Sequence, residues 1–119
     1  MVTVDQKTGR ITLYRGDTGD ITIKVKGYDF GPDDRAVFTV RDVRGIQIMR
    51  RVYTLADNRF VVSFVNKDTK ELEPKTYYWD ARYDMHPEYD QGGDLINGES
   101  ICTPGSPFEF KVLDTVGRI

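Results

Sequence analysis

The sequence predicts an all-β sandwich of seven to eight mostly antiparallel strands, and two observations support this fold class. Apolar residues recur with a period of two in one segment after another, and the i, i+3, i+4, i+7 spacing of an amphipathic helix is not sustained. Glycine, proline, aspartate and asparagine separate the segments at intervals of roughly 8 to 14 residues, as in a sandwich. A small closed barrel is the alternative architecture.

Each predicted strand is defined by its alternation and by the turn residues that end it. In the second run, Ile21, Ile23 and Val25 lie on one side, and the intervening threonine and lysines face water. The runs in chain order are 11–14, 21–26, 36–42, 46–53, 60–65, 76–83, 99–103 and 107–112.

The sixth run is the most informative because its buried face is rich in aromatic residues. That face consists of Tyr77, Trp79, Ala81 and Tyr83. The apolar side of each alternation predicts a core of Leu13, Ile21, Ile23, Val25, Phe38, Val40, Phe60, Val62, Phe64, Tyr77, Trp79, Phe108, Phe110 and Val112.

The 119 residues suit one domain, and three segments are predicted to lie outside its strands. Residues 1–9 are expected to be flexible. Residues 66–74 are either a crossover loop or one helical turn held by Leu72, joining a strand of one sheet to a strand of the other. Residues 84–98 are polar at the centre and predict a long loop.

Composition argues against several classes of function. The 17 basic and 19 acidic side chains give a net charge of -2, which does not favour nucleic acid as a partner. No apolar run approaches the ~18 to 20 residues that cross a membrane, and the N-terminus lacks a signal-peptide pattern. One cysteine and one histidine exclude an internal disulfide and a thiolate zinc site. We therefore expect no enzyme, no metal and no cofactor.

The motifs that could carry chemistry have plainer structural interpretations. The tripeptide 15–17, Arg-Gly-Asp, is interpreted as a turn, and the acidic groups at 17–20, 33–34 and 84–94 as solvated loop charges, not a calcium site. Asp80 is expected to form a cross-strand ion pair with a residue such as Arg41 or Arg50. His86 is expected on the surface, and Cys102 is expected to be a small buried residue.

Several segments together resemble a known family. They are Arg-Gly-Asp-Thr at 15–18 leading into an alternating strand, Val-Arg-Asp at 40–42, Leu-Glu-Pro at 72–74 followed by Tyr-Tyr-Trp-Asp at 77–80, and Phe-Glu-Phe-Lys-Val at 108–112. This arrangement is similar to the β-sandwich module of phage and prophage tail and baseplate proteins, specifically the N-terminal domain of the baseplate upper protein family.

The resemblance implies an immunoglobulin-like β-sandwich that acts as a structural or adaptor component without catalysis. Its partners would be other virion or tail subunits, with a homo-oligomer left open, and it would be made in the bacterial cytoplasm and reside in a virion or prophage particle. No membrane is implied.

The sequence leaves two kinds of binding surface as alternatives. Amphipathic side chains in 84–98, together with the outer face of the sixth run, predict an assembly interface that includes Met85, Tyr89, Leu95, Ile96, Tyr78 and Asp80. The alternative is a carbohydrate-binding module, since Tyr53, Tyr78, Tyr83 and Tyr89 are candidates for exposed aromatics. That alternative requires coplanar aromatic rings on one face of a sheet.

Overall fold

The computed structural model describes residues 2–55, 57–103 and 107–114, and this part of the chain is almost entirely strand. Across these residues there are nine strands and one short helix, α1 (Asn66–Thr69). The strands are β1 (Thr3–Val4), β2 (Ile11–Tyr14), β3 (Gly19–Lys24), β4 (Arg35–Arg41), β5 (Gln47–Thr54), β6 (Arg59–Phe64), β7 (Thr76–Tyr89), β8 (Leu95–Cys102) and β9 (Phe108–Leu113). No helix within these ranges is long and apolar enough to span a membrane.

Two sheets form an immunoglobulin-like β-sandwich, which confirms the predicted fold class over the closed barrel. The large sheet has the order β1-β2-β9-β7-β4-β5, with β8 also paired to β7. The small sheet consists of β3 and β6. All pairs are antiparallel except β2 with β9. Strand β7 is long because β9 pairs with its first half and β8 with its second half.

The core lies between the two sheets and follows the predicted alternation closely. Of the predicted core residues, Ile23, Val25 and Phe108 are half-buried at its margin, and the others are buried. Ala81 and Tyr83 are also buried, as predicted for the aromatic face of β7. Buried hydrophobic residues outside the predicted core are Val2, Ile11, Ala36, Val37 and Leu55.

Two aromatic residues of β7 tie the core to the backbone around it. The Tyr77 hydroxyl donates to the Glu73 carbonyl oxygen at 3.0 Å, which is the tyrosine-corner arrangement of immunoglobulin-like sandwiches. The indole of Trp79 donates to the Gly9 carbonyl oxygen at 2.8 Å while its rings pack against Phe38 and Phe108. Burial of Trp79 confirms the predicted register of this strand.

The crossover at 66–74 agrees with its prediction, and the two other segments do not. Helix α1 supplies the helical turn, Leu72 packs against the core, and the segment joins β6 of the small sheet to β7 of the large one. The description of 1–9 as a flexible segment is wrong for residues 2–9, since Val2 is buried and β1 pairs with β2.

The prediction of a long loop over 84–98 is also wrong. Strand β7 continues to Tyr89, residues 90–94 form a turn, and β8 begins at Leu95. The Asp90 carboxylate builds the turn by accepting from the backbone N–H groups of Gly92 and Asp94, each at 2.9 Å. Irregular pairing in this hairpin breaks the period-two pattern on which the prediction depended.

Candidate assembly surface

The hairpin formed by residues 84–100, here called the folded hairpin, turns back over the outer face of the large sheet. Its pairing shifts register on both sides of Glu88, His86 adopts a left-handed backbone with φ 48°, and Gly98 has φ 116°. A Cβ at Gly98 would lie 2.8 Å from the Met85 carbonyl oxygen, so the two strands approach there more closely than a side chain permits. These features bend both strands of the hairpin together.

The position of the hairpin tip demonstrates the bend. The guanidinium of Arg50 on β5 donates to the carbonyl oxygen of Gly93 at 2.9 Å. Arg50 pairs with Thr39, which in turn pairs with Asp80 on β7. A straight strand from Asp80 to the tip would span about 33 Å, far beyond the reach of an arginine side chain. The tip therefore lies over β4 and β5.

A buried carboxylate supports the base of the folded hairpin. The Asp84 side chain has an exposed fraction of 0% and accepts four hydrogen bonds. The guanidinium of Arg82 donates two, at 2.7 and 2.9 Å, the hydroxyl of Tyr89 donates one at 2.6 Å, and the hydroxyl of Ser100 donates one at 2.8 Å. The cluster joins β7 to β8 and to the part of β7 beyond the bend.

Electrostatics in this cluster favour one protonation pattern. Burial opposes ionisation of Asp84, but the hydrogen bonds from Arg82, Tyr89 and Ser100 outweigh it, so the pKa of Asp84 lies below its ordinary value. Burial and the hydrogen bond to Asp84 raise the pKa of Tyr89 to about 12. The hydrogen bond to Asp84 raises the pKa of Arg82. The neutral phenol and the charged pair are therefore the stable forms at neutral pH.

A second buried carboxylate fixes the bend itself. Asp34, 4% exposed, accepts from the backbone N–H of His86 at 3.0 Å and from the N–H of Gly31 at 2.7 Å. The strained backbone of His86 thus has its N–H satisfied by a residue that precedes β4. Grooves of about 350 Å³ and 470 Å³ both include His86 in their lining.

The structure brings some of the predicted interface residues together. Tyr78 and Asp80 lie on the outer face, and Asp80 shares its row across the sheet with Arg50, which contacts the hairpin tip. Ile96 is 64% exposed near the tip. Tyr89 and Leu95 pair with each other and are half-buried.

Met85, the remaining predicted interface residue, is half-buried and lines the 470 Å³ groove with Asp29 and Asn97. The ion pair predicted for Asp80 is present, with Arg41 at 3.1 Å.

The candidate tyrosines do not share one face. Tyr83 is 3% exposed in the core, and Tyr53 stacks on Phe60 from the inner face of β5. Tyr78 and Tyr89 are on the outer side, where the Tyr89 hydroxyl is bound to Asp84. The coplanar row that a carbohydrate-binding module requires is not formed by these four residues.

The structure also tests the Arg-Gly-Asp motif and the position of Cys102. In the Arg-Gly-Asp segment, Gly16 has φ 80° and the N–H of Asp17 donates to the Tyr14 carbonyl oxygen at 3.0 Å, so the turn interpretation is confirmed. No group of three or more His, Cys, Asp or Glu side chains suited to a metal ion occurs in the described ranges. The prediction that Cys102 is buried is wrong: it is exposed, because its side chain lies on the outer face of β8.

The interpretation of the acidic groups as solvated loop charges is wrong for Asp17, Asp34 and Asp84, which are buried, and the last two organise the hairpin. A signal for Asp84 was present, because it continues the outer-face alternation of Asp80 and Arg82. Asp34 offered no such signal, since its partner at His86 lies 52 positions away in the chain.

Comparison of the chain with protein-family models, with curated proteins and with solved structures gives no match. The fold and the surface above therefore define the class: an immunoglobulin-like β-sandwich that carries a preformed hairpin on one sheet.

Proposed function

We propose that this chain is a non-enzymatic structural or adaptor protein that binds other protein subunits through the folded hairpin and the adjoining outer face of the large sheet. The particle we propose for it is a phage or prophage tail or baseplate. That assignment depends on the sequence resemblance at 15–18, 40–42, 72–80 and 108–112.

The observation that carries the proposal is the preorganisation of the hairpin. Its base is fixed by Asp84, its bend by Asp34 and its tip by Arg50. A segment that is already ordered loses little conformational entropy when a partner binds, which favours affinity.

Exposed side chains on and beside the hairpin suit a protein partner. Ile96 is 64% exposed near the tip, and Val43 and Ile46, in the turn between β4 and β5, are 76% and 51% exposed. A shallow groove of about 230 Å³ lined by Val43, Tyr78 and Asp80 lies on the outer side of the sheet. Apolar and aromatic groups with a charged rim are typical of protein interfaces.

The test is co-expression of the tagged chain with the products of adjacent genes, followed by size-exclusion chromatography with light scattering. We expect a complex that contains a second protein, and we expect Ile96→Lys to weaken it. Val61→Lys is the matched control, because Val61 is a 45% exposed valine on β6 of the opposite sheet.

Three outcomes would contradict the proposal. The first is a complex that Ile96→Lys leaves intact while Val61→Lys disrupts it. The second is turnover on a hydrolase panel that a carboxylate substitution abolishes. The third is binding on a glycan array that Tyr78→Ala removes, which would support the carbohydrate-binding alternative.

A further inference from the structure

The free edges of the two sheets differ in how they are protected against pairing. Among the described residues, β1 is only two residues long, and β8 is bent by the irregular pairing around Glu88. The edge of β6 is capped, since the Ser63 carbonyl oxygen accepts from the guanidinium of Arg51 at 2.5 Å. Strand β3 carries the charged residues Asp20 and Lys24, and charged side chains on an edge oppose the addition of another strand. Strand β5 has eight residues, and after an irregularity at Ile48 its residues 49–54 pair with β4 in unbroken register.

The backbone of β5 presents a defined set of hydrogen-bonding groups to solvent. The N–H of Leu55 donates to the Asp34 carbonyl oxygen at 3.3 Å, directly opposite in the β4–β5 register. In an antiparallel ladder, hydrogen-bonded and non-hydrogen-bonded pairs alternate. Arg50, Val52 and Thr54 are therefore the residues whose N–H and C=O groups point away from β4.

Charged side chains usually protect such an edge, but those of β5 are engaged elsewhere in the chain. Arg50 extends over the outer face to Gly93. Arg51 extends over the inner face, where it contacts Asp68 at 2.6 Å and the ring of Phe64. Val52, which follows them in the strand, is 46% exposed. The edge thus lacks the free lysines or prolines by which proteins block strand addition.

We propose that β5 pairs antiparallel with β5 of a second copy of this chain, with the twofold axis at Val52. This register places Val52 opposite Val52 of the second copy, Arg50 opposite Thr54 and Arg51 opposite Tyr53. All three outward-pointing residues then form doubly hydrogen-bonded pairs. An axis at Arg50 or Arg51 would place identical guanidinium groups directly opposite each other, which is unfavourable.

The dimer extends the large sheet across the twofold axis, with the contact between Arg50 and the hairpin tip of each copy near that axis. It goes beyond the proposed function, because self-association through β5 and binding of another protein through the hairpin involve different residues. Symmetric pairing of one patch with itself is the usual way in which a twofold dimer closes.

The experiment measures the mass of the full chain by light scattering and sedimentation over a range of concentrations. We expect a concentration-dependent dimer. Val52→Lys places two like charges opposite each other at the axis, and we expect the dimer dissociation constant to rise at least about tenfold. Val61→Lys, at a valine with the same exposure on β6, should leave the dimer unchanged.

A disulfide tests the register directly. In a Cys102→Ser background, Val52→Cys should give a covalent dimer on mild oxidation, since paired Cα atoms about 5.5 Å apart suit a disulfide. Val61→Cys should not. Urea unfolding of each variant checks that the fold is retained.

Several results would overturn the inference. They are a chain that stays monomeric at every concentration, a dimer that Val52→Lys does not weaken in a folded variant, and a dimer that Ile96→Lys abolishes. The last result would place self-association on the hairpin. None of these results depends on whether a second protein binds there.

Discussion

Replacing Asp84 with asparagine should destabilise the protein much more than the same change at Asp80, although both residues lie on the outer face of β7. Asp84 is completely buried and accepts four hydrogen bonds. Asp80 has an exposed side-chain fraction of 35% and one ion-pair partner, Arg41, which is 43% exposed. The two substitutions therefore compare a buried carboxylate with an exposed one on the same face of β7.

The expected magnitude follows from what each variant leaves unpaired. Breaking a fully buried ion pair costs about 3 to 5 kcal/mol. The Arg82 side chain is 33% exposed and can recover part of its hydration, so we expect about 2 to 3 kcal/mol for Asp84→Asn. An exposed ion pair contributes only about 0 to 1 kcal/mol, which sets the expectation for Asp80→Asn.

The assay is urea unfolding at pH 7 followed by the fluorescence of Trp79, which is the only tryptophan and is buried in the core. Equal destabilisation by the two variants would refute the reasoning, because it would mean that burial and the additional donors contribute nothing.

The pH dependence supplies a second check on Asp84. Its pKa is lower in the folded than in the unfolded protein, so its stabilisation is full above the unfolded value of about 3.9. The stabilisation is lost as the pH falls through the folded value. The stability difference between the wild type and Asp84→Asn should therefore be constant near neutral pH and shrink under acid conditions. A difference that grew on acidification would contradict the assigned direction.

Three further predictions use the core and the hairpin. Trp79→Ala should cost about 3 to 5 kcal/mol in urea unfolding, since it removes a large buried side chain, and a loss below about 1 kcal/mol would contradict its core position. Tyr89 should titrate near its pKa of about 12 in the absorbance difference between the wild type and Tyr89→Phe. Its contribution to stability should be full below the unfolded pKa of about 10 and disappear as the pH rises through the folded pKa of about 12. Gly98→Ala should destabilise the protein more than Gly27→Ala, because both have positive φ but only at Gly98 would the added Cβ meet backbone; equal thermal shifts would count against the close approach of the hairpin strands.

The sequence was sufficient to predict the strands of the core because their signal is local. Alternation assigns Phe38, Val62 and Phe110 to the inner face without knowledge of their partners, since successive side chains of a strand point to opposite sides. The crossover at 66–74 was predictable for a similar reason, because a single apolar residue, Leu72, interrupts a polar stretch.

Only the tertiary structure decided the course of residues 84–100 and the state of the sheet edges. The bend depends on Asp34, and the position of the tip depends on Arg50, both remote in sequence from the hairpin. Period-two analysis has no access to such contacts, and left-handed backbone at His86 disrupts the pattern on which it depends. Likewise, the sequence places two arginines on β5. Whether they protect the β5 edge from pairing with another strand depends on where their side chains are bound. Long-range hydrogen bonds settle that question, because they direct Arg50 to Gly93 and Arg51 to Asp68.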